Sequence, residues 1–290
     1  MLLRLSVFSL SALLLVSACR RTGSDTDTGV ETDTDTDTDT DTDTDTDTDT
    51  DTDTDTDPAG CPAPPTDWTQ VGNGNPGVNW PLVTTTTPYT NDANLAAVRA
   101  ETPAGQGDTA TVSVAVTGAT VTGVDYHPAG TNSSGFWVED ANAAVHIELF
   151  FAGNTDDVNV VLNPGDKVSF TAVGVENYFG LQVNDLEGFT VDSTGNPIYV
   201  QDVSGTAIDA ETNVDKFIHV YGEIIAETGS CGGSSLCYTL DHGNSQTGIL
   251  RASDQVTFFV GDCVDLYLPL GNFQGNAQFD LGNFDWYTFF

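Results

Sequence analysis

From about residue 91 to the C-terminus, apolar side chains come in short, mostly alternating runs. Examples are Val114-Ala-Val116, Phe136-Trp-Val138, Val168-Ser-Phe170, Val220-Tyr221 and Val264-Asp-Leu266. Gly, Asn, Asp and Pro separate them. Side chains on a strand alternate between faces, so this pattern predicts short strands with one buried face, arranged as a sandwich or barrel. One stretch reads as a helix, Asn91-Asp-Ala-Asn-Leu-Ala-Ala-Val-Arg-Ala100, with Asn91 or Asp92 as its cap. The terminal Phe284-Asp-Trp-Tyr-Thr-Phe-Phe290 reads as the closing strand of the last β unit. It ends like an outer-membrane barrel, but regular lipid-facing strands of about ten residues are missing.

The runs repeat. Val114-Ala-Val116-Thr-Gly118, Phe136-Trp-Val-Glu-Asp140 and Gly165-Asp166-Lys-Val168-Ser-Phe170 precede Gln182. Val220-Tyr-Gly222, Tyr238-Thr-Leu-Asp241 and Gly261-Asp262-Cys-Val264-Asp-Leu266 precede Gln278. Gly165 to Gln182 and Gly261 to Gln278 are both 17 residues, while Gly118 to Phe136 is 18 and Gly222 to Tyr238 is 16. Each Gly-Asp is expected to turn the chain into a strand with Val168/Phe170 or Val264/Leu266 facing inward. Gly118 and Gly222 are expected mid-strand, where a small closed barrel bends.

These motifs resemble OB-fold domains of exported bacterial proteins, found in cell-envelope lipoproteins and beside secreted nuclease domains. The likeness covers roughly residues 91–192, with Asn94–Arg99 similar to the short helix that precedes such domains, and a degraded copy covers about 213–290. It implies an all-β chain with two tandem OB-like small barrels. OB folds often bind oligonucleotides or oligosaccharides on one face, though a fold does not fix a function.

The N-terminus is different in kind. Arg4 precedes the apolar run Leu10–Val16, which is too short for a span of about 20 residues. The run ends in Val16-Ser17-Ala18-Cys19, which resembles the lipobox of bacterial lipoproteins. That resemblance implies cleavage before Cys19, lipidation of its thiol, and a membrane held by two or three acyl chains. Arg20 after the cysteine implies the outer membrane, on its periplasmic or cell-surface side.

Strict Thr-Asp alternation then fills Asp33–Asp57, with looser versions from Asp25. Despite its period of two it is not read as a strand, because it has no apolar residue to offset the entropy of ordering. Neighbouring aspartates lie within a Debye length and repel, which extends the chain. The expectation is a low-complexity disordered spacer with a contour of roughly 135 Å over residues 20–60. Threonine glycosylation and calcium capture by the repeat are the alternative readings. The resulting domain map is a signal peptide at 1–18, lipidated stalk at 19–60, a first OB-like domain with its N-terminal arm at 61–205 and a second at 206–290.

The formal charge is −36. From residue 61 onward 27 acidic side chains face four basic ones, Arg99, Lys167, Lys216 and Arg251, for a net −23. Such a surface disfavours phosphate backbones and anionic lipid. The four cysteines beyond Cys19, namely Cys61, Cys231, Cys237 and Cys263, read as two disulfides in an exported protein, with three pairings open. Cys231 and Cys237 bracket the loop Gly-Gly-Ser-Ser-Leu, which favours that bridge and leaves Cys61–Cys263. A zinc site lacks the usual Cys-x-x-Cys pairs.

Candidate chemistry is sparse. Trp137 alternates with Phe136 and Val138, so one ring is expected in the core and the other on a binding face, with Tyr126 and His127 flanking the same loop. His146-x-Glu148 shares one strand face and reads as a solvated pair rather than a metal site. Asp125, Asp156, Asp157 and Asp262 are loop oxygens that calcium could use; no other cofactor is expected. His242 lies in a loop with no nucleophile motif beside it and reads as solvated. There is no phosphate-cradling Gly loop, and the rings lack the cationic groove that single-stranded nucleic acid needs. The expected function is a non-enzymatic, lipid-anchored binding and display protein for a glycan, a peptide or another envelope protein. A nucleic-acid-binding module and a hydrolase are the rival classes, and nucleic acid is the disfavoured partner.

Overall fold

The computed structural model describes residues 60–62, 84–125, 135–149, 151–154, 157–231, 235–252, 257–273, 275–281 and 286–289. Cys19, the Thr-Asp tract, Tyr126, His127 and Asp156 lie outside them.

The elements, in chain order, are β1 (Thr84–Thr85), α1 (Leu95–Ala100), β2 (Thr109–Asp125), β3 (Gly135–Glu139), β4 (Ala144–Glu148), β5 (Lys167–Asn177) and β6 (Leu181–Ser193). Then come β7 (Ile198–Tyr199), β8 (Gln201–Asp202), α2 (Ala210–Asn213), β9 (Phe217–Ser230), β10 (Leu236–Asp241), β11 (Thr247–Ala252), β12 (Cys263–Phe273), β13 (Asn276–Leu281) and β14 (Trp286–Phe289). The chain is all-β, and its strands form two OB-like barrels. In barrel 1 the order is β2-β3-β4-β6-β5, closed on itself, with β4 and β6 parallel. Barrel 2 repeats it as β9-β10-β11-β13-β12, with β12 returning to β9 and β11 parallel to β13. Both belong to one compact unit.

The repeat is also visible in the turns. Asp166 Oδ2 accepts the Asn163 N–H and Asp262 Oδ2 accepts the Phe259 N–H, both at 2.8 Å. Gly165 and Gly261 adopt φ of 89° and 98°, a left-handed conformation that glycine takes at little cost. Each turn then locks onto the first strand of its barrel by the same bond pair, through Val121 in one and Ile224 in the other. Val168 and Phe170 enter the first core, and Val264 and Leu266 the second, as the alternation predicts.

The glycine match slips by one. Val168 pairs with Ala119 and Val264 with Gly222, so Gly222 corresponds to Ala119 rather than Gly118. Gly118 has φ +69° in a bulge of β2, whereas a Cβ on Gly222 would come within 2.3 Å of the Asp241 carbonyl oxygen. The two glycines therefore answer different needs, a left-handed bulge and a close strand approach.

Helix α1 begins at Leu95, and neither Asn91 nor Asp92 caps it. The Asn91 amide donates to the Gly118 carbonyl oxygen, and Asp92 accepts the Asn94 N–H. The helix start is held from the β3–β4 turn, where Asp140 Oδ2 accepts the N–H groups of Ala93 and Leu95 at 2.9 and 3.1 Å. Oδ1 of the same carboxylate accepts those of Asn142 and Ala143.

In barrel 1 one strand, β6, pairs with β4 through Gln182 and Val183 and with β5 from Leu181 to Ser193. In barrel 2 that path is divided between β13, which closes the ring, and β14, which pairs with Val264–Tyr267 of β12. Disulfides join Cys61 to Cys263 and Cys231 to Cys237, the pairing the loop favours. No helix among the described residues is long and apolar enough to cross a membrane.

Candidate functional site

Strand alternation sends Phe136 into the barrel 1 core, fully buried, and turns Trp137 outward. Pairing then builds a row across three strands, Trp137 opposite His146 and His146 opposite Gln182. The Trp137 and His146 rings stack, with centroids 4.3 Å apart and planes 8° from parallel. The Gln182 amide meets His146 Nδ1 at 3.2 Å, while Nε2 is buried without a partner. Burial holds the imidazole neutral, its pKa pushed down to about 4. Glu148, two residues on, shares the same face and the same groove. The His146-x-Glu148 pair is thus half-buried in a groove wall rather than on a solvated strand face.

Barrel 2 supplies the opposite wall. Its equivalent row is Thr239-Ile249-Gln278, so the Gln182 and Gln278 match holds in three dimensions. Gln278, Arg251 and Asp280 line the groove, and Arg251 pairs with Asp280 at 3.3 Å. Burial raises the Asp280 pKa against the pull of Arg251. The groove encloses about 240 Å³. Its rim is aromatic: Tyr178 and Phe151 are 57% and 86% exposed, and Phe179 lies 4.6 Å from Phe273 between centroids. Such rings offer large apolar faces, and the Gln, Asn, Arg and carboxylate groups beside them offer directed hydrogen bonds.

The two walls are held in register by close contacts. A Cβ on Gly123 would sit 3.0 Å from Pro269 and 3.1 Å from Trp137, so a side chain here would push these neighbours back by a few tenths of an ångström. Asp215, in the linker with φ 65°, accepts from Arg99 at 3.0 Å, and Arg99 also donates to the Ala144 carbonyl oxygen. Burial raises the Asp215 pKa to about 6 despite that arginine and the His146 backbone N–H. Glu139 is buried and accepts the Phe217 N–H at 3.1 Å; burial pushes its pKa up to about 8.

Four groups of potential acid–base or metal chemistry, His146, Glu148, Asp215 and Asp280, therefore line one groove. Two of the carboxylates are tied to arginines, and no trio of His, Cys, Asp or Glu among the described residues is placed to hold a metal ion. Asp262 is committed to its turn, and His242 is 2% exposed rather than solvated.

A second polar cluster escapes a reading of the sequence. His219 on β9 contacts Asp202 on β8 through Nδ1 at 3.2 Å and Asp265 on β12 through Nε2, with Tyr267 beside the ring. Burial opposes the charged ring, but the two carboxylates outweigh it and raise the His219 pKa. Tyr267 is raised by burial and by the same aspartates. Within Phe217-Ile-His-Val-Tyr221, a histidine between apolar neighbours gives no sign of partners 17 and 46 residues away.

No protein-family model and no curated protein matches the sequence. Among solved structures, the chain is similar to the tetrameric p202 HIN2 domain, with TM-score 0.30 and 9% identity, covering 64% of this chain and 96% of that one. The p204 HINb domain matches at TM-score 0.29 and 8% identity, over 63% and 99%. A murine DNA-binding protein bound to double-stranded DNA matches at 0.28 and 8%, over 63% and 95%. At these scores the likeness does not extend to a ligand or a mechanism.

Proposed function

We propose that this protein is a non-enzymatic binding lipoprotein of the cell envelope, anchored at Cys19 and carried on its acidic stalk, that takes an uncharged glycan in the groove between its barrels. The observation that carries this reading is the groove's composition. An outward Trp137 and a rim of exposed rings stand beside Gln182, Gln278, Asn272 and the Arg251–Asp280 pair. Sugar rings present apolar faces and many hydroxyls, which such a lining matches. The net −23 from residue 61 onward works against an anionic polymer, and the groove's Arg251 is already paired.

The test is a glycan array probed with the oxidised full chain, beside single-stranded DNA, with and without calcium. Saturable glycan binding that falls at least about tenfold in Trp137→Ala is the expected result. Salt-sensitive DNA binding would overturn the ligand assignment in favour of a nucleic-acid module. Cleavage of a bound glycan, lost in Glu148→Gln, would replace the non-enzymatic reading with a hydrolase.

A further inference from the structure

The two barrels differ at one end. In barrel 1 the segment before the first strand acts as a plug: Ala93, Leu95 and Val98 join the core beneath α1, and Asp140 accepts backbone N–H groups from it. Barrel 2 repeats the connection without the plug. Helix α2 has four residues and buries none of them, and Ile208 ahead of it is only partly covered. His242 stands where Asp140 does. Each follows the second strand of its barrel, and each donates its N–H across the next turn, Asp140 to the Ala143 carbonyl oxygen at 2.9 Å and His242 to that of Gln246 at 3.0 Å. The His242 imidazole hydrogen-bonds the Val203 backbone, and its Nδ1 is buried without a partner. Ala143 and Ala144 are buried under α1, but Gln246 and Thr247 border a cavity of about 430 Å³ that reaches the core rings and chains Phe279 and Leu270.

We infer that this unplugged end of the second barrel is a binding site for a small uncharged molecule with an apolar ring and one hydrogen-bond donor. The volume is that of a small-molecule pocket. Ile208, Ile249, Leu270 and Phe279 give it apolar walls, and Thr239 and Gln246 border them with polar groups. The His242 Nδ1 is the acceptor that selects a donor. His242 lines the cavity beside Phe279, whose ring meets the imidazole T-shaped at 5.6 Å and 84°, and its Nδ1 is sealed from bulk water. A buried acceptor left unpaired is costly, so a site of this kind discriminates against an analogue that lacks the donor. The site is separate from the inter-barrel groove and does not depend on what that groove binds.

Calorimetric titration of the oxidised full chain with indole and with 1-methylindole tests it, because N-methylation removes the ring N–H donor while adding a single methyl group. Indole is expected to saturate one site and to bind about tenfold more tightly than 1-methylindole. His242→Phe is expected to shrink that preference to under about twofold. Thr247→Trp, a change at an exposed position on the cavity edge, is expected to abolish binding of both while leaving the amide-exchange protection of the barrel 2 strands unchanged. Equal affinity for the two compounds, no saturation by either, or binding that survives Thr247→Trp would overturn the assignment.

Discussion

Barrel 1 and barrel 2 share a strand order, a turn motif and a core pattern, yet they are secured differently. Barrel 1 contains no disulfide; its open end is filled by α1, and its turn carboxylate, Asp140, takes four backbone N–H groups. Barrel 2 has a short α2 and a histidine at the matching place, and both disulfides have a cysteine on its strands, Cys263 on β12 and Cys237 on β10. One OB-like frame can thus be closed by local hydrogen bonding and a helix or by covalent staples. The second way leaves room for a cavity.

The sharpest way to break the comparison is to open the Cys61–Cys263 bridge. It spans 202 positions, and in the chain-entropy model a loop of that length is worth about 5 kcal/mol. Cys263→Ser with Cys61→Ser should shift the denaturant midpoint of barrel 2 far more than that of barrel 1, read by amide exchange resolved along the sequence. Asp140→Ala comes next. It strands four N–H groups and should destabilise barrel 1 by about 3 kcal/mol in the same assay, whereas His242→Phe should cost barrel 2 under about 1 kcal/mol. Removing Cys231–Cys237, a bridge across six positions, should cost about 2 kcal/mol.

The smallest effect is the pH dependence that His219 gives barrel 2. His219 has a raised pKa when folded, so its contribution is fully present below its unfolded value near 6.5 and is lost as pH rises through the folded value. Asp202, lowered mainly by His219 against the effect of burial, loses its share as pH falls through its own folded value. Stability measured from pH 5 to 9 should therefore decline across that upper window in the native chain and decline less in His219→Asn. An unchanged slope in the variant would remove His219 from the account.

Much of the frame is legible in the sequence because its determinants are local. Gly165-Asp166 and Gly261-Asp262 announce a left-handed turn with its own carboxylate cap, and the alternation around Val168 and Val264 fixes which face is inside. Phe136 against Trp137 follows from the same period of two. What is not legible is non-local. Asp140 caps a helix that begins 45 residues earlier, His219 meets its partners across three strands, and the groove is walled by residues of both barrels, with Gly123 of one packed close to Pro269 of the other. The glycine register slipped because Val-x-Gly is too short a motif to distinguish a bulge from a close strand approach.

The Cys61–Cys263 bridge also sets a force path. Any pull that arrives along the chain from before residue 61 crosses the sulfurs into β12, a strand flanked by β9 on one side and by β13 and β14 on the other. Tension therefore bypasses barrel 1 and the covalent link from residue 62 into it. It enters the second barrel through the antiparallel ladders that β12 makes with β9, β13 and β14. In an oxidising medium such a pull would strain the second barrel first; in a reducing one it would pass along the chain into the first barrel.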